Sequence, residues 1–299
     1  MPFHKTKAWG KVKPPPGSAV EWGDPISAGL AGCWLLNESG GKVVSDLAKK
    51  NHGSIIGTTS WVQGKFGETL AFDGSTCYVD CGANQNLHVL SARLSISAWV
   101  RRNASNSIGT LVARGTGAGH GGWIVGLGVA AATVNQIKAT KYGVVDIFLG
   151  TFPADTLWHH LVLTYSGAGV ALYIDGLLNA TNGDTSDFSS GDTEALLFGT
   201  TRTDGAAGDF FTGNIDNVRV YKRTLLSTEA MRLYVDPFAG IVEPYRRTRE
   251  QGFATPAAPG TSPPLGAAPR AIRKLLANAE DEGRFNELDV RNWWFEAFA

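Results

Sequence analysis

Two adjacent histidines, three cysteines and a short acidic run are the residues whose types could support metal binding, acid–base catalysis or redox chemistry. His159 and His160 stand in Trp158-His159-His160-Leu161-Val162-Leu163-Thr164-Tyr165, which reads as a strand. Neighbours on a strand point to opposite faces, so the two rings do not converge on one ion. Cys33, Cys77 and Cys81 form an odd set with no CxxC pair and no histidine at zinc-site spacing. Cys77 and Cys81 are four apart in an extended stretch, which separates them by ~13 Å at ~3.3 Å per residue and forbids a bridge. All three are expected as small buried hydrophobes in a chain made in a reducing compartment. Glu280-Asp281-Glu282 decorates a solvated helix end, and no Gly-x-Ser-x-Gly, phosphate loop or His-Glu-x-x-His occurs. The expectation is a protein without a catalytic set.

The remaining chemistry is aromatic. Phe285, Trp293, Trp294, Phe295 and Phe298 crowd the last fifteen residues, and Trp9 and Trp22 stand in a first segment rich in Lys, Pro and Gly. An exposed indole gains by finding an apolar surface, and buried aromatics dominate interface energies. These seven residues are therefore expected to dock the chain onto a partner.

The elements that must carry these residues follow from composition and pattern. The chain has 299 residues, 43% hydrophobic and 18% charged, with 37 Gly and 9 Trp, as suits a folded β-rich protein with many turns. Lys plus Arg and Asp plus Glu both total 27, so no global field draws it to nucleic acid or an anionic membrane. No run of 18 apolar residues predicts membrane insertion, and Met1 to Lys13 lacks the apolar segment of an export signal.

Four segments are predicted. Residues 1–25 form an extended basic arm held by Pro14-Pro15-Pro16. Residues 26–238 carry short β-rich runs at sandwich spacing, among them 32–37, 53–58, 69–72, 76–80, 94–101, 108–113, 123–129, 136–140, 157–165, 170–174, 195–198 and 211–221. Residues 239–269 read as a Pro/Ala/Gly-rich linker, and 270–299 as an amphipathic helix followed by the aromatic docking tail. Leu94, Ile96, Ala98 and Val100 alternate with Ser95, Ser97, Trp99 and Arg101, which predicts one core face and one outward face. Ser166-Gly167-Ala168-Gly169 reads as a short hairpin loop, Asp175-Gly176 as the turn at the next strand's end, and 227–234 as a helix with Ser227 as its N-cap. Trp34, Phe72, Trp99, Trp158 and Tyr173 supply the bulk that a sandwich core about 10 Å thick requires.

Seven stretches in order resemble the laminin-G-like jelly-roll family of concanavalin-type folds, in its bacterial and bacteriophage branch. They are Gly32-Cys33-Trp34-Leu35-Leu36-Asn37, the loop from Asp46 to Gly53, Leu70-Ala71-Phe72-Asp73-Gly74 with Tyr78-Val79, and Leu94-Ser95-Ile96-Ser97-Ala98-Trp99-Val100. Trp158 to Tyr165, Ala171-Leu172-Tyr173-Ile174-Asp175-Gly176 and Gly213-Asn214-Ile215-Asp216-Asn217-Val218-Arg219-Val220-Tyr221 complete the set. The resemblance implies an all-β, two-sheet antiparallel jelly-roll sandwich between an extended N-terminal arm and an extended or helical C-terminal tail. It also implies a structural calcium in some relatives, held by an Asp equivalent to Asp216 with loop oxygens, for which Asp73 is a candidate here; no cofactor is required. The paired carboxylates of polysaccharide-cleaving relatives are absent.

Arms that cost ordering entropy unless a partner offsets it, together with the phage-type resemblance, point to a bacteriophage virion structural protein. The expectation is a capsid-decorating or tail-associated subunit, made in the host cytoplasm, oligomeric within the particle, docked by its arms onto other virion proteins and displaying its sandwich outward for adhesion. A calcium-assisted carbohydrate-binding module for host or environmental glycans is the alternative class, and a glycoside hydrolase the third.

Overall fold

The computed structural model describes residues 9, 12–48, 51–58, 60–87, 93–115, 122–128, 134–187, 194–203 and 206–243. The chain divides into two units, residues 1–245 and 246–299, and the second lies outside the described residues, together with the helix and docking tail expected at 270–299. In the first unit the strands are β1 Ala19–Val20, β2 Leu30–Trp34, β3 Val43–Val44, β4 Gly53–Ile56, β5 Ser60–Gln63, β6 Glu68–Asp73 and β7 Tyr78–Asp80. They continue with β8 Leu94–Arg102, β9 Gly109–Gly115, β10 Gly122–Leu127, β11 Ile137–Lys141, β12 Val145–Leu149, β13 Trp158–Ser166 and β14 Gly169–Ile174. Then come β15 Leu177–Asn182, β16 Leu196–Phe198, β17 Thr201–Thr203, β18 Ala206–Gly208, β19 Thr212–Tyr221, helix α1 Ser227–Val235 and β20 Ile241–Val242.

Two eight-stranded antiparallel sheets result. The first runs β15-β14-β13-β8-β19-β6-β5, with β2 also on β19; the second runs β12-β11-β10-β9-β16-β7-β4-β3. The expected two-sheet sandwich is the fold found. Between the sheets lies an apolar core that includes Trp34, Leu70, Phe72, Ile96, Trp123, Leu127, Ile137, Leu163, Leu172, Phe198 and Val220. Trp34 meets Phe198 edge-on at 5.1 Å between ring centroids.

The alternation in β8 holds, with Leu94, Ile96, Ala98 and Val100 in this inner core. The expectation that only that side is buried does not. Trp99 on the other side is 1% exposed, within a second apolar layer of Leu30, Cys33, Phe66, Val162, Tyr221, Leu225, Ala230, Leu233 and Phe238. Helix α1 and the segments on either side of it cover this outer face, so β8 and much of β19 are buried on both sides. Trp158 and Tyr173, taken as inner core from sequence, also pack on this outer layer.

Polar ties hold the cover in place. Arg219, 1% exposed, donates from its guanidinium to Ala239 O and Pro237 O, both at 2.8 Å. Arg232 of α1 grips Asp24 with two bonds of 2.8 and 2.6 Å, and Arg223 grips Glu229 with two of 2.7 Å. The Glu229 carboxylate also accepts the Leu226 N–H at 2.9 Å, and Leu226, not Ser227, is the N-cap residue. Ser227 is displaced because Glu229 reaches back over the first turn and satisfies the donor itself.

Asp175 and Gly176, at φ 52° and 79°, turn β14 into β15 with both central residues in the left-handed region, which an Asp-Gly pair tolerates. Strands β3, β5, β12, β15, β17 and β18 lie outside the runs that the sequence pattern marks as strands. At the chain's two boundaries, Ala19–Val20 pairs with Ile241–Val242, so the folded body reaches into the predicted arm and into the predicted linker.

Candidate functional site

Each residue singled out above has a definite place where the structure describes it. Trp9 is half-buried and donates its indole N–H to Ile241 O at 2.9 Å, packing against the outer layer of its own domain. Trp22 is 52% exposed. Phe285, Trp293, Trp294, Phe295 and Phe298 lie outside the described residues.

Asp216 is fully buried on β19, where Lys13 of the arm brings its ammonium to 2.6 Å from Oδ1. The same ammonium donates to Leu36 O at 3.0 Å and to Glu68 O. Burial pushes the Asp216 carboxyl up to about 6 despite Lys13, and its Oδ2 has no hydrogen-bond partner. Asp73 spends Oδ1 on the Ser75, Thr76 and Cys77 N–H groups and Oδ2 on the Thr76 hydroxyl, which holds its carboxyl well below the usual range. Asn37 donates to Pro14 O, and Asp46 accepts from Cys33, Ala48 and Asn51.

These residues do not fit a calcium. An ammonium already stands on Asp216, and Asp73 is folded into its own turn. Among the described residues no group of three or more His, Cys, Asp or Glu is placed to hold a metal ion. The two carboxylates nominated from the sequence, Asp216 and Asp73, are thus each engaged within the protein itself. Local pattern gave no sign of it, because Lys13 comes from a segment that reads as solvated.

The histidines do point to opposite sides. His160 is buried, with Nε2 2.8 Å from Ser97 Oγ, and burial lowers its pKa to about 3, so the ring is neutral. His159 lies between two carboxylates, with Nδ1 2.6 Å from Asp175 Oδ2 and Nε2 3.0 Å from Asp155 Oδ1. The hydrogen bond to Asp175 raises its pKa against the opposing effect of burial. Asp175 Oδ1 accepts the His160 N–H at 2.9 Å, so the cluster staples the loop before β13 to the β14–β15 turn. The three cysteines are free thiols and buried.

An open groove of about 380 Å³ lies on the outer face of the first sheet, beyond the reach of α1. The register sets Thr164 of β13 opposite Ala171 of β14, and Ala171 opposite Thr181 of β15. Tyr173 follows two residues on along β14, on the same side and half-buried. Ser166, Ala168 and Gly169 of the hairpin turn, Asn182 and Gly183 close one end, and Thr224 and Leu225 line the side toward the helix. Among the described residues the lining holds no carboxylate, histidine, lysine or arginine. It offers an aromatic side chain, hydroxyls and one amide, a set that can bind a polar neutral molecule but lacks the two carboxylates of glycosidic hydrolysis. Sequence reading missed this groove; its only trace was a Thr/Ala/Thr set on neighbouring strands where β8 carries Trp99.

A family model described as the concanavalin A-like lectin/glucanases superfamily matches residues 73–231. No curated protein matches the chain. Among solved structures, domain 4 of an extracellular arabinanase from Geobacillus stearothermophilus, in complex with arabinotriose, is 17% identical with a TM-score of 0.52. That match covers 69% of this chain and 98% of the other. A Trypanosoma rangeli sialidase mutant displaying trans-sialidase activity gives 21% identity and 0.53, over 71% of this chain and 33% of the sialidase. The binding domain of botulinum neurotoxin DC in complex with SialylT gives 15% and 0.54, over 70% and 52%. At these identities the likeness is one of fold.

Proposed function

This chain belongs to the concanavalin A-like lectin/glucanases superfamily, and from that premise we propose that it is a non-catalytic glycan-binding protein whose groove over Thr164, Ala171 and Thr181 takes the sugar. The observation that carries the reading is the groove's lining. An aromatic ring beside hydroxyl and amide groups suits the apolar C–H faces and hydroxyl edges of a saccharide, while the lack of any acid or base gives it nothing to cleave with. Solved structures of the same fold that hold arabinotriose or SialylT support a sugar as ligand for this scaffold, though fold alone assigns no function. The test is a glycan array probed with the full chain. Binding lost on Tyr173→Ala, with no release of reducing ends from the bound glycan, is the expected result; an array without hits overturns the reading.

A second reading is favoured by the aromatic density of residues 285–298. In it the chain is a bacteriophage virion subunit, capsid-decorating or tail-associated, docked through Trp293, Trp294, Phe295 and Phe298 onto other virion proteins and displaying the sandwich outward. The two readings are compatible, since a displayed sandwich could adhere to host or environmental glycans. A chain truncated after Phe253 should keep its cooperative melt and lose binding to empty heads or tails. Equal binding by the truncated chain would remove this reading.

A further inference from the structure

We propose that the groove selects uncharged saccharides and rejects anionic ones such as sialylated, sulfated or uronic-acid glycans, an inference that rests on the groove being a sugar site. A bound carboxylate or sulfate gives up hydration, and only a cation or several converging N–H donors restore that loss. Among the described residues the groove supplies no cation. Arg223, next in sequence to the lining residue Thr224, has its guanidinium closed on Glu229 at 2.7 Å and on Ala28 O at 2.6 Å. Lys141, on the neighbouring sheet, is 1% exposed and holds Asp184 at 2.6 Å. Asp184 itself stands just past the groove's closed end, where Asn182 Oδ1 accepts its N–H at 2.8 Å, so the two charges that flank the lining in sequence, Arg223 and Asp184, are each committed to an ion pair.

The uncommitted groups are of a different kind. Most lining hydroxyls are already used: Ser166 Oγ on Gly169 O and Ala168 N–H, Thr224 Oγ1 on Tyr165 O. The Tyr173 and Thr181 hydroxyls enter no such bond with the described residues. Each can both donate and accept, which matches a sugar hydroxyl and is poorly suited to an ion that accepts only. Tyr173 meanwhile rests on the outer core, so its ring is held ready at no further ordering cost.

The experiment is an array of matched neutral and acidic oligosaccharides, read with the full chain at low and high salt and repeated with three variants. Tyr173→Ala tests the ring. Thr181→Trp fills the groove from an exposed edge-strand position and leaves both cores alone, and Thr181→Arg supplies the missing cation. We expect neutral glycans only, with binding independent of salt, lost at least tenfold in Tyr173→Ala and Thr181→Trp, and a gain of acidic glycans in Thr181→Arg. Acidic glycans bound by the native chain and lost in Thr181→Trp would overturn the neutral class while keeping the sugar site. Glycan binding unaffected by Thr181→Trp would overturn the groove, and an array with no hit at all would overturn the function from which this inference proceeds.

Discussion

The outer face of the first sheet has two halves, and they are finished differently. Under α1 the strands carry Trp99, Val162, Arg219 and Tyr221, and the arm, the helix and the segment after it close over them with bidentate Arg–carboxylate pairs and the buried Lys13–Asp216 contact. Over β13, β14 and β15 the corresponding positions are Thr164, Ala171 and Thr181, which go from buried beside Thr224 and Leu225 at Thr164, through half-buried at Ala171, to exposed at Thr181. Side-chain size explains the contrast. Large apolar groups on a sheet face must be removed from water at roughly 25 cal/mol per Å², whereas small polar ones can stay wet without loss. One half of the sheet face is thus closed for stability and the other stays open, at the groove proposed above to take a glycan.

The largest break in this contrast should come from Lys13→Met. It leaves Asp216 buried without a counter-ion, a loss of about 3–5 kcal/mol, seen as a lower midpoint in denaturant unfolding. Lys13→Met combined with Asp216→Leu should regain most of it. The carboxyl of Asp216 also gives a signed pH dependence. Its folded value near 6 lies above the ordinary 3.8, so its contribution to stability is greatest at low pH and declines as pH rises through that window. Asp216→Asn should flatten that part of the profile.

Next in size is Leu233→Ala, which opens a cavity beneath α1 and should cost about 2–5 kcal/mol. The Cys33 thiol reports on the same event from within. Burial raises its pKa to about 11 and keeps it inert, so alkylation should be slow in the native chain and faster in Leu233→Ala. Equal alkylation rates would mean that the helix does not seal this half.

The smallest effect belongs to the staple at the edge of the open half. Because His159 has a raised pKa, its stabilisation is complete below the ordinary 6.5 and is lost as pH climbs through the raised value. His159→Gln should therefore lower the melting temperature slightly at pH 6, within about 1 kcal/mol for a cluster whose carboxylates stay partly solvated, and leave it unchanged at pH 9. A Thr181→Ala change should move stability by no more than about 0.5 kcal/mol, which would confirm that the open half bears no structural load.

The legible part of the molecule was the part with local rules. Period-two alternation in Leu94–Arg102 and the Asp175-Gly176 turn were readable because strand pleat and left-handed turns impose their signature within a few residues. The outer layer was not, although one clue was present: Trp99 stood among Ser95, Ser97 and Arg101 on the side read as outward. What covers it is a nine-residue helix and an arm rich in lysine and proline, and pairing between Lys13 and Asp216 is invisible to any window along the chain. The groove escaped for a related reason. It is made of small residues whose meaning depends on what does not cross above them.

The pairing of β1 with β20 also sets how the domain would behave under load. Ala19 faces Val242 and Val20 faces Ile241 in antiparallel register, so the chain enters and leaves at the same end of a two-rung ladder. Tension applied through the two flanking segments would part those rungs one at a time, as a zipper opens, in place of shearing them together. On the N-terminal side Lys13, held on Asp216, lies ahead of the ladder, so a pull from that side meets the buried ion pair before it reaches the rungs, whereas a pull from beyond Val242 loads the ladder directly.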